Sequence, residues 1–190
     1  MKSPATLALL LVLASPVSAA VIHNEAVNGD LSSLAAAPTA LAFAPGGNTV
    51  IGTVRSSNNI TGDRDFITFT IPAGNVLTGL NLLAYAPDFL AFCAFNAGAT
   101  SFVPGVATNA SFLAGIHIGA ALVGSNLMTQ FVGSSVTTNS LTAPQLNPGT
   151  YSFVIQQTGT ALQSYSLEFV MDGPVPAESP TWGAIKALYR

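Results

Sequence analysis

Residues 58–74 read NNITGDRDFITFTIPAG, and the fold class follows from this stretch. Gly62 and the carboxylates of Asp63 and Asp65 mark a polar turn. Phe66, Thr68 and Thr70 then alternate with Ile67, Phe69 and Ile71 until Pro72-Ala73-Gly74 ends the run. Such alternation sends successive side chains to opposite faces, which is the period of a β-strand. Charge is sparse elsewhere: the 190 residues hold eight Asp and Glu, and seven of them precede Glu178. Two of those seven share this one turn, so the acids are placed rather than scattered.

Working outward, residues 76–85 and 90–95 are near-continuous apolar runs, which predicts strands buried on both faces. After an Asn147-Pro148-Gly149 turn, residues 150–158 (TYSFVIQQT) and 165–171 (YSLEFVM) alternate again. They predict two strands with a polar outer face, joined by a hairpin loop at 158–164. Toward the N-terminus, residues 49–54 form a β-branched strand interrupted by Gly52, and an edge strand is expected around 41–43. Residues 96–133 are broken by six glycines. Each Gly costs about 1 kcal/mol in a helix interior, so one long helix is disfavoured. Residues 107–123 fit a helix or two strands, and one helical turn is expected near 125–131. Together these predict an all-β, antiparallel β-sandwich of jelly-roll type over residues 21–172.

Composition bounds the rest. The chain is 49% apolar and 7% charged, against about 25% charged in an average domain. No apolar run after residue 20 approaches the roughly 20 residues that cross a bilayer, so no transmembrane segment is expected in the mature chain. Residues 1–20 carry Lys2, an apolar segment at 5–14 and a small-residue cleavage site at Val17-Ser18-Ala19 or Ser18-Ala19-Ala20. That is the pattern of a signal peptide, and it predicts a secreted, extracellular or cell-envelope location. Its removal leaves four cations against eight carboxylates, a net charge of −4, unlike the clustered Lys and Arg that bind nucleic acid. The single cysteine, Cys93, has no intramolecular partner and sits in Ala91-Phe92-Cys93-Ala94-Phe95, the setting of a buried small hydrophobe.

The residues able to carry chemistry are few. Glu25, Asn28, Asp30, Asp63 and Asp65 offer four carboxylates and an amide on two loops. Calcium takes six to eight such oxygens, which makes this set a candidate metal site. The other reading stays open: Asp63 and Asp65 cap a turn and pair with Arg55 or Arg64 at the surface. Zinc and catalysis find little support, because His23 and His117 are the only histidines and no metalloprotease or nucleophile-elbow motif is present. His117, in an apolar stretch, is expected to be a hydrogen-bonded structural residue, and His23 to be solvated. Tyr85, Phe89, Phe102 and Phe112 lie in or beside loops, where exposed aromatics could stack on sugars. Asn59 and Asn109 head N-x-S/T sequons.

The motifs GDRDFITFTIPAG, LTGLNLLAY, NPGTYSFVIQQTG and YSLEFVM resemble the bacterial pre-peptidase C-terminal (PPC) domain family. The shared pattern is a G-D-x-D-[YF] strand start, a P-A-G turn and a late P-G-T-Y strand, with Ile67 standing where a second aromatic is usual. The resemblance implies a jelly-roll sandwich in a secreted or surface protein, with the first strand and the D-x-D turn at one edge, where related modules hold calcium. Residues 175–182 (VPAESPTW) are similar to a PEP-CTERM sorting signature. Ala177 interrupts the motif and only eight residues follow, so residues 173–190 are expected to be a flexible tail resembling a truncated signal. The expected role is a monomeric, non-catalytic module that binds or spaces polysaccharide or protein at the cell surface or in the matrix. A carbohydrate-binding, lectin-like module is the alternative, and a hydrolase accessory domain the third reading.

Overall fold

The computed structural model describes residues 19–56, 62–87, 90–105, 109–157 and 159–173, and nine strands lie among these described residues. They are β1 (Ala20–Asn24), β2 (Thr39–Ala40), β3 (Gly46–Ser56), β4 (Gly62–Ile71), β5 (Val76–Ala86), β6 (Ala91–Ala97), β7 (Ala114–Ile118), β8 (Gly149–Gln157) and β9 (Gln163–Asp172). The expected leader up to residue 18, the turn at 57–61 and the tail from 174 lie outside the described residues.

The strands form two sheets, ordered β5-β9-β3-β1 and β7-β6-β8-β4-β2. Among the described residues only two pairs, Arg55↔Asp63 and Ser56↔Gly62, join them, at the base where β3 meets β4. Above that base the two strands diverge into opposite sheets. The first six strands alternate between sheets, the winding of a jelly-roll-type sandwich. The protein is all-β and its sheets are antiparallel, apart from the short edge strands β1 and β2, which run parallel to β3 and β4. No helix among the described residues is long and apolar enough to cross a membrane.

The core fills the space between the inner faces. Ile67, Phe69 and Ile71 of β4 and Phe153 and Ile155 of β8 meet Leu167, Phe169 and Met171 of β9. Phe153 crosses Phe169 edge-on at 5.5 Å, and Phe95 lies 5.0 Å from Phe153. Such aromatic pairs add about 0.5–1.5 kcal/mol each beyond area burial. A smaller cluster of Phe66, Phe92, Ala94, Phe112 and Val154 packs on the outer face of the second sheet.

Several sequence expectations change. No hairpin pairs β8 with β9, because the two strands lie in different sheets. Each strand has a longer ladder elsewhere, β8 with β4 and β6, β9 with β3 and β5. The outer face of β8 is not solvated, because Ser152, Val154 and Gln156 are buried under the second cluster and its loops. The run at 76–85 is buried on one face, not two. Register irregularities between Leu77 and Gly79 and between Leu82 and Ala84 bring Leu77, Leu80, Leu82 and Tyr85 opposite Met171, Phe169, Leu167 and Tyr165. Each adds one residue and switches the strand's facing, so an irregular apolar spacing reads out on a single face. Of the run at 90–95, residues 91–95 are buried on both faces, as expected, and Leu90 before β6 is exposed.

The expected edge strand at 41–43 is instead β2, at Thr39–Ala40, with one further bond from Leu41 N–H to Thr68 O at 2.8 Å. Of the ambiguous 107–123 segment, residues 109–123 hold the single strand β7 between short 3-10 turns at Asn109–Ser111 and Ala120–Leu122, and residues 107 and 108 lie outside the described residues. The expected helical turn near 125–131 is a 3-10 turn at Leu127–Thr129. Just before it, Asn126 Oδ1 accepts from Leu80 N–H at 3.1 Å and Nδ2 donates to Thr78 O at 3.1 Å. The loop thus satisfies the free edge of β5, which would otherwise invite pairing with another chain.

Candidate metal centre

The D-x-D spacing fixes the first half of the site. Residues two apart on a strand share a face, so Asp63 and Asp65 continue the inner row of Ile67, Phe69 and Ile71 toward one mouth of the sandwich. Arg64 points the other way and donates from Nε to Gln156 Oε1 at 2.5 Å. Asp65 is 1% exposed.

The second half comes from the segment after β1. A single helical turn, α1 (Glu25–Asn28), begins there with Asn24 as its cap, its side chain accepting from Ala26 N–H at 3.1 Å. Gly29 closes the turn at φ +88, a conformation that L side chains rarely adopt. Glu25, the residue after the Asn24↔Ile51 pair, lies beside β3. Glu25 Oε2 accepts from Thr53 N–H at 2.7 Å and from Thr53 Oγ1 at 3.2 Å, and Oε1 accepts from Leu31 N–H at 3.1 Å. The carboxylate thereby continues the β1–β3 ladder past the last paired residue and leaves Asp30 exposed at the rim.

One carboxylate oxygen each from Glu25, Asp30 and Asp65 lies within 4.8 Å of the others. Asp63 is close enough that Asp30 and Glu25 act on it electrostatically. The structure therefore groups three of the five residues read from the sequence, and Asp63 stands beside them within their electrostatic reach. Asn28 does not join them: its Oδ1 accepts from Asn24 N–H at 2.8 Å, across the helical turn. It shapes the loop.

Tyr165, Gly52 and Thr53 complete the site, and sequence reading missed all three as site residues. Tyr165 Oη donates to Asp65 Oδ2 at 2.6 Å within the core. Gly52 faces Tyr165 across the β3–β9 ladder. A Cβ at Gly52 would stand 2.6 Å from Tyr165 Oη and 3.1 Å from Asp65 Oδ2, so only glycine leaves room for the pair. A glycine breaking a β-branched strand was the one visible signal, since it often marks close approach of another group.

Among the described residues, Asp65 Oδ1 and Asp63 Oδ1 are buried without a hydrogen-bond partner. The interior beside Asp65, lined by Val50, Ile67, Phe153, Tyr165, Leu167 and Phe169, has no room for a water molecule. Burial, and then the charge of Glu25, raise the Asp65 pKa well above the carboxylate range, and the Tyr165 hydrogen bond only partly opposes this. Burial, then Asp30 and Glu25, push Asp63 up to about 6 against the opposing pull of Arg55. Such a cluster relaxes by taking up a proton or a cation.

The other chemistry-bearing residues fall differently. His23 and His117 exchange their expected roles: His23 is buried and donates from Nε2 to Gly29 O at 3.0 Å, helping to hold the acidic loop. His117 lies on the solvent side of β7, its ring 5.8 Å from Phe92. Position decides this, because β1 turns residue 23 under the loop while β7 buries Ile116 and Ile118 and turns residue 117 out. Cys93 is fully buried, as expected, and burial raises its thiol pKa. Of the aromatics considered for sugar stacking, Tyr85 and Phe112 are core residues, Phe102 is 45% exposed and Phe89 lies outside the described residues. Asn59 is also outside them, and Asn109 begins a 3-10 turn. Comparison with protein-family models, with curated proteins and with solved structures found no match to this chain.

Proposed function

We propose that this chain is an exported, non-catalytic module of the cell surface or matrix, braced by calcium at its acidic mouth. It binds or spaces surface polysaccharide or protein. One observation carries the calcium reading: Asp65 holds an unpartnered, buried oxygen beside the carboxylates of Glu25 and Asp30. Calcium is a hard cation that takes carboxylate oxygens on adaptable loops, which fits an all-oxygen donor set of Glu25, Asp30, Asp63 and Asp65. Glu25 Oε2 already accepts two hydrogen bonds from Thr53, whereas Oε1 accepts only one, from Leu31 N–H, and keeps a second lone pair for an ion. The ion would neutralise charge where the two sheets separate, tying the loop after β1 to β4.

Thermal unfolding tests this. Calcium at 100 times its dissociation constant adds about 2.7 kcal/mol, a rise of about 5–10 °C in midpoint for a chain of this length. The rise should vanish in Asp65→Asn. An unchanged midpoint in the unmodified protein at millimolar calcium would refute the reading.

A second reading, glycan binding, draws on Phe102, which stays exposed while resting edge-on against Phe112 at 6.0 Å. Retention on a polysaccharide column that is lost in Phe102→Ala and unaffected by Asp65→Asn would favour it.

A further inference from the structure

We infer that Tyr165 is the positioning residue of the acidic centre: its hydroxyl fixes the Asp65 carboxylate so that Oδ1 is presented as a ligand to a hard divalent cation. The inference rests on the cation reading above and adds to it a residue two strands away on the opposite sheet.

A carboxylate on a strand has its Cβ direction set by the backbone, but the plane of its two oxygens is free to turn. Asp65 is the acid best shielded from water, and among the described residues Tyr165 is its only hydrogen-bond partner. The phenol bond at 2.6 Å uses Oδ2 and so fixes the plane. Oδ1 then stands without a donor, and Glu25 and Asp30 each bring an oxygen within 4.8 Å of Asp65. The space on the core side has no room for a water that could satisfy it instead.

A bond serving stability alone would not need this arrangement. A buried tyrosine hydroxyl is satisfied by any acceptor, and a neutral amide would supply one without the cost of burying a charge. The carboxylate instead leaves one oxygen orphaned among other acids, which is productive only when a cation completes it. Gly52 belongs to the same device. Tyr165 must lie flat across β3 to reach Asp65, and a Cβ at position 52 would be 2.6 Å from its oxygen and 2.8 Å from its ring carbon Cζ. Partners that orient metal ligands in this way change affinity by about 10–100-fold when removed.

The test is calorimetric titration of calcium into the full chain, its Tyr165→Phe variant and its Gly52→Ala variant. The calcium-free unfolding midpoint of each is measured in parallel. Positioning predicts affinity weaker by about 10–100-fold in both variants, at temperatures where each is folded. A stability role alone would lower the calcium-free midpoint and leave affinity within about twofold of the parent, and that result overturns the inference. Failure of the unmodified chain to bind calcium refutes the cation reading and this inference with it. Normal binding by Tyr165→Phe refutes the inference alone. A further readout needs only the unmodified protein and Tyr165→Phe. Terbium bound at Asp65 should emit on tyrosine excitation, because the Tyr165 oxygen is 2.6 Å from the proposed ligand group. Equal emission per bound terbium in the two proteins would overturn the assignment.

Discussion

Raising the pH should destabilise the calcium-free protein, the reverse of what paired carboxylates usually do. Asp63 has its folded pKa raised from 3.8 to about 6. An acid raised in this way contributes stability that is fully present below its unfolded pKa and is lost as pH climbs through the folded value. At about 1.4 kcal/mol per tenfold change in proton affinity the rise corresponds to about 3 kcal/mol for a fully buried group. Asp63 is half-buried, and solvent screening reduces this to about 1–2 kcal/mol. Asp65, deeper and raised by the same causes in the same direction, adds to the effect. The midpoint of metal-stripped protein should therefore fall by about 3–6 °C between pH 4 and pH 7. Saturating calcium should reverse the slope, since the ion favours the ionised carboxylates and competes with protons. Scanning calorimetry across that range, with and without calcium, measures both. Asp63→Asn should flatten part of the calcium-free slope. A calcium-free midpoint that rises from pH 4 to pH 7, or a slope unaltered in Asp63→Asn, would show that the acids are not mutually strained and refute the reasoning.

Other consequences concern the frame that holds the site. Phe169→Ala removes a fully buried ring in contact with Phe43, Phe69 and Phe153. It should cost about 3–5 kcal/mol, read as a shift in denaturant midpoint with unchanged slope. Asn126→Ala leaves Leu80 N–H and Met128 N–H without their acceptor. A loss of about 1–3 kcal/mol is expected, with faster hydrogen exchange confined to β5 and the 119–131 loop. Cys93, buried and with its thiol pKa raised, should resist thiol reagents in the native protein and react at the rate of unfolding; prompt labelling would contradict its place between the sheets.

Particular residues show where sequence reading succeeds. The strand after Gly62, the strands within 150–157 and 165–171 and the double-sided burial of 91–95 were legible because strand faces follow from local apolar pattern. Asp63 and Asp65 were recognisable for the same reason: two residues apart on a strand, they share a face in any packing. Glu25 and Asp30 were recognisable as scarce charges beside a turn glycine.

What was not legible was set by partners far along the chain. Nothing in residues 150–171 says that β8 and β9 lie in different sheets, because alternation specifies a buried face and not which ladder satisfies the backbone. The apolar run at 76–85 looked two-sided until the register irregularities after Leu77 and Leu82 turned it onto a single face. His23 and His117 exchanged roles through the loop that closes over one and the edge that exposes the other. The acidic centre shows the same division. Its carboxylates are local features of two loops, but the strain among them arises only when Glu25 meets Asp65 and when Tyr165, a hundred residues from Asp65, reaches it past Gly52. Composition and periodicity place charges and faces along the chain. Long-range packing brings those charges together and removes the water that would otherwise screen them.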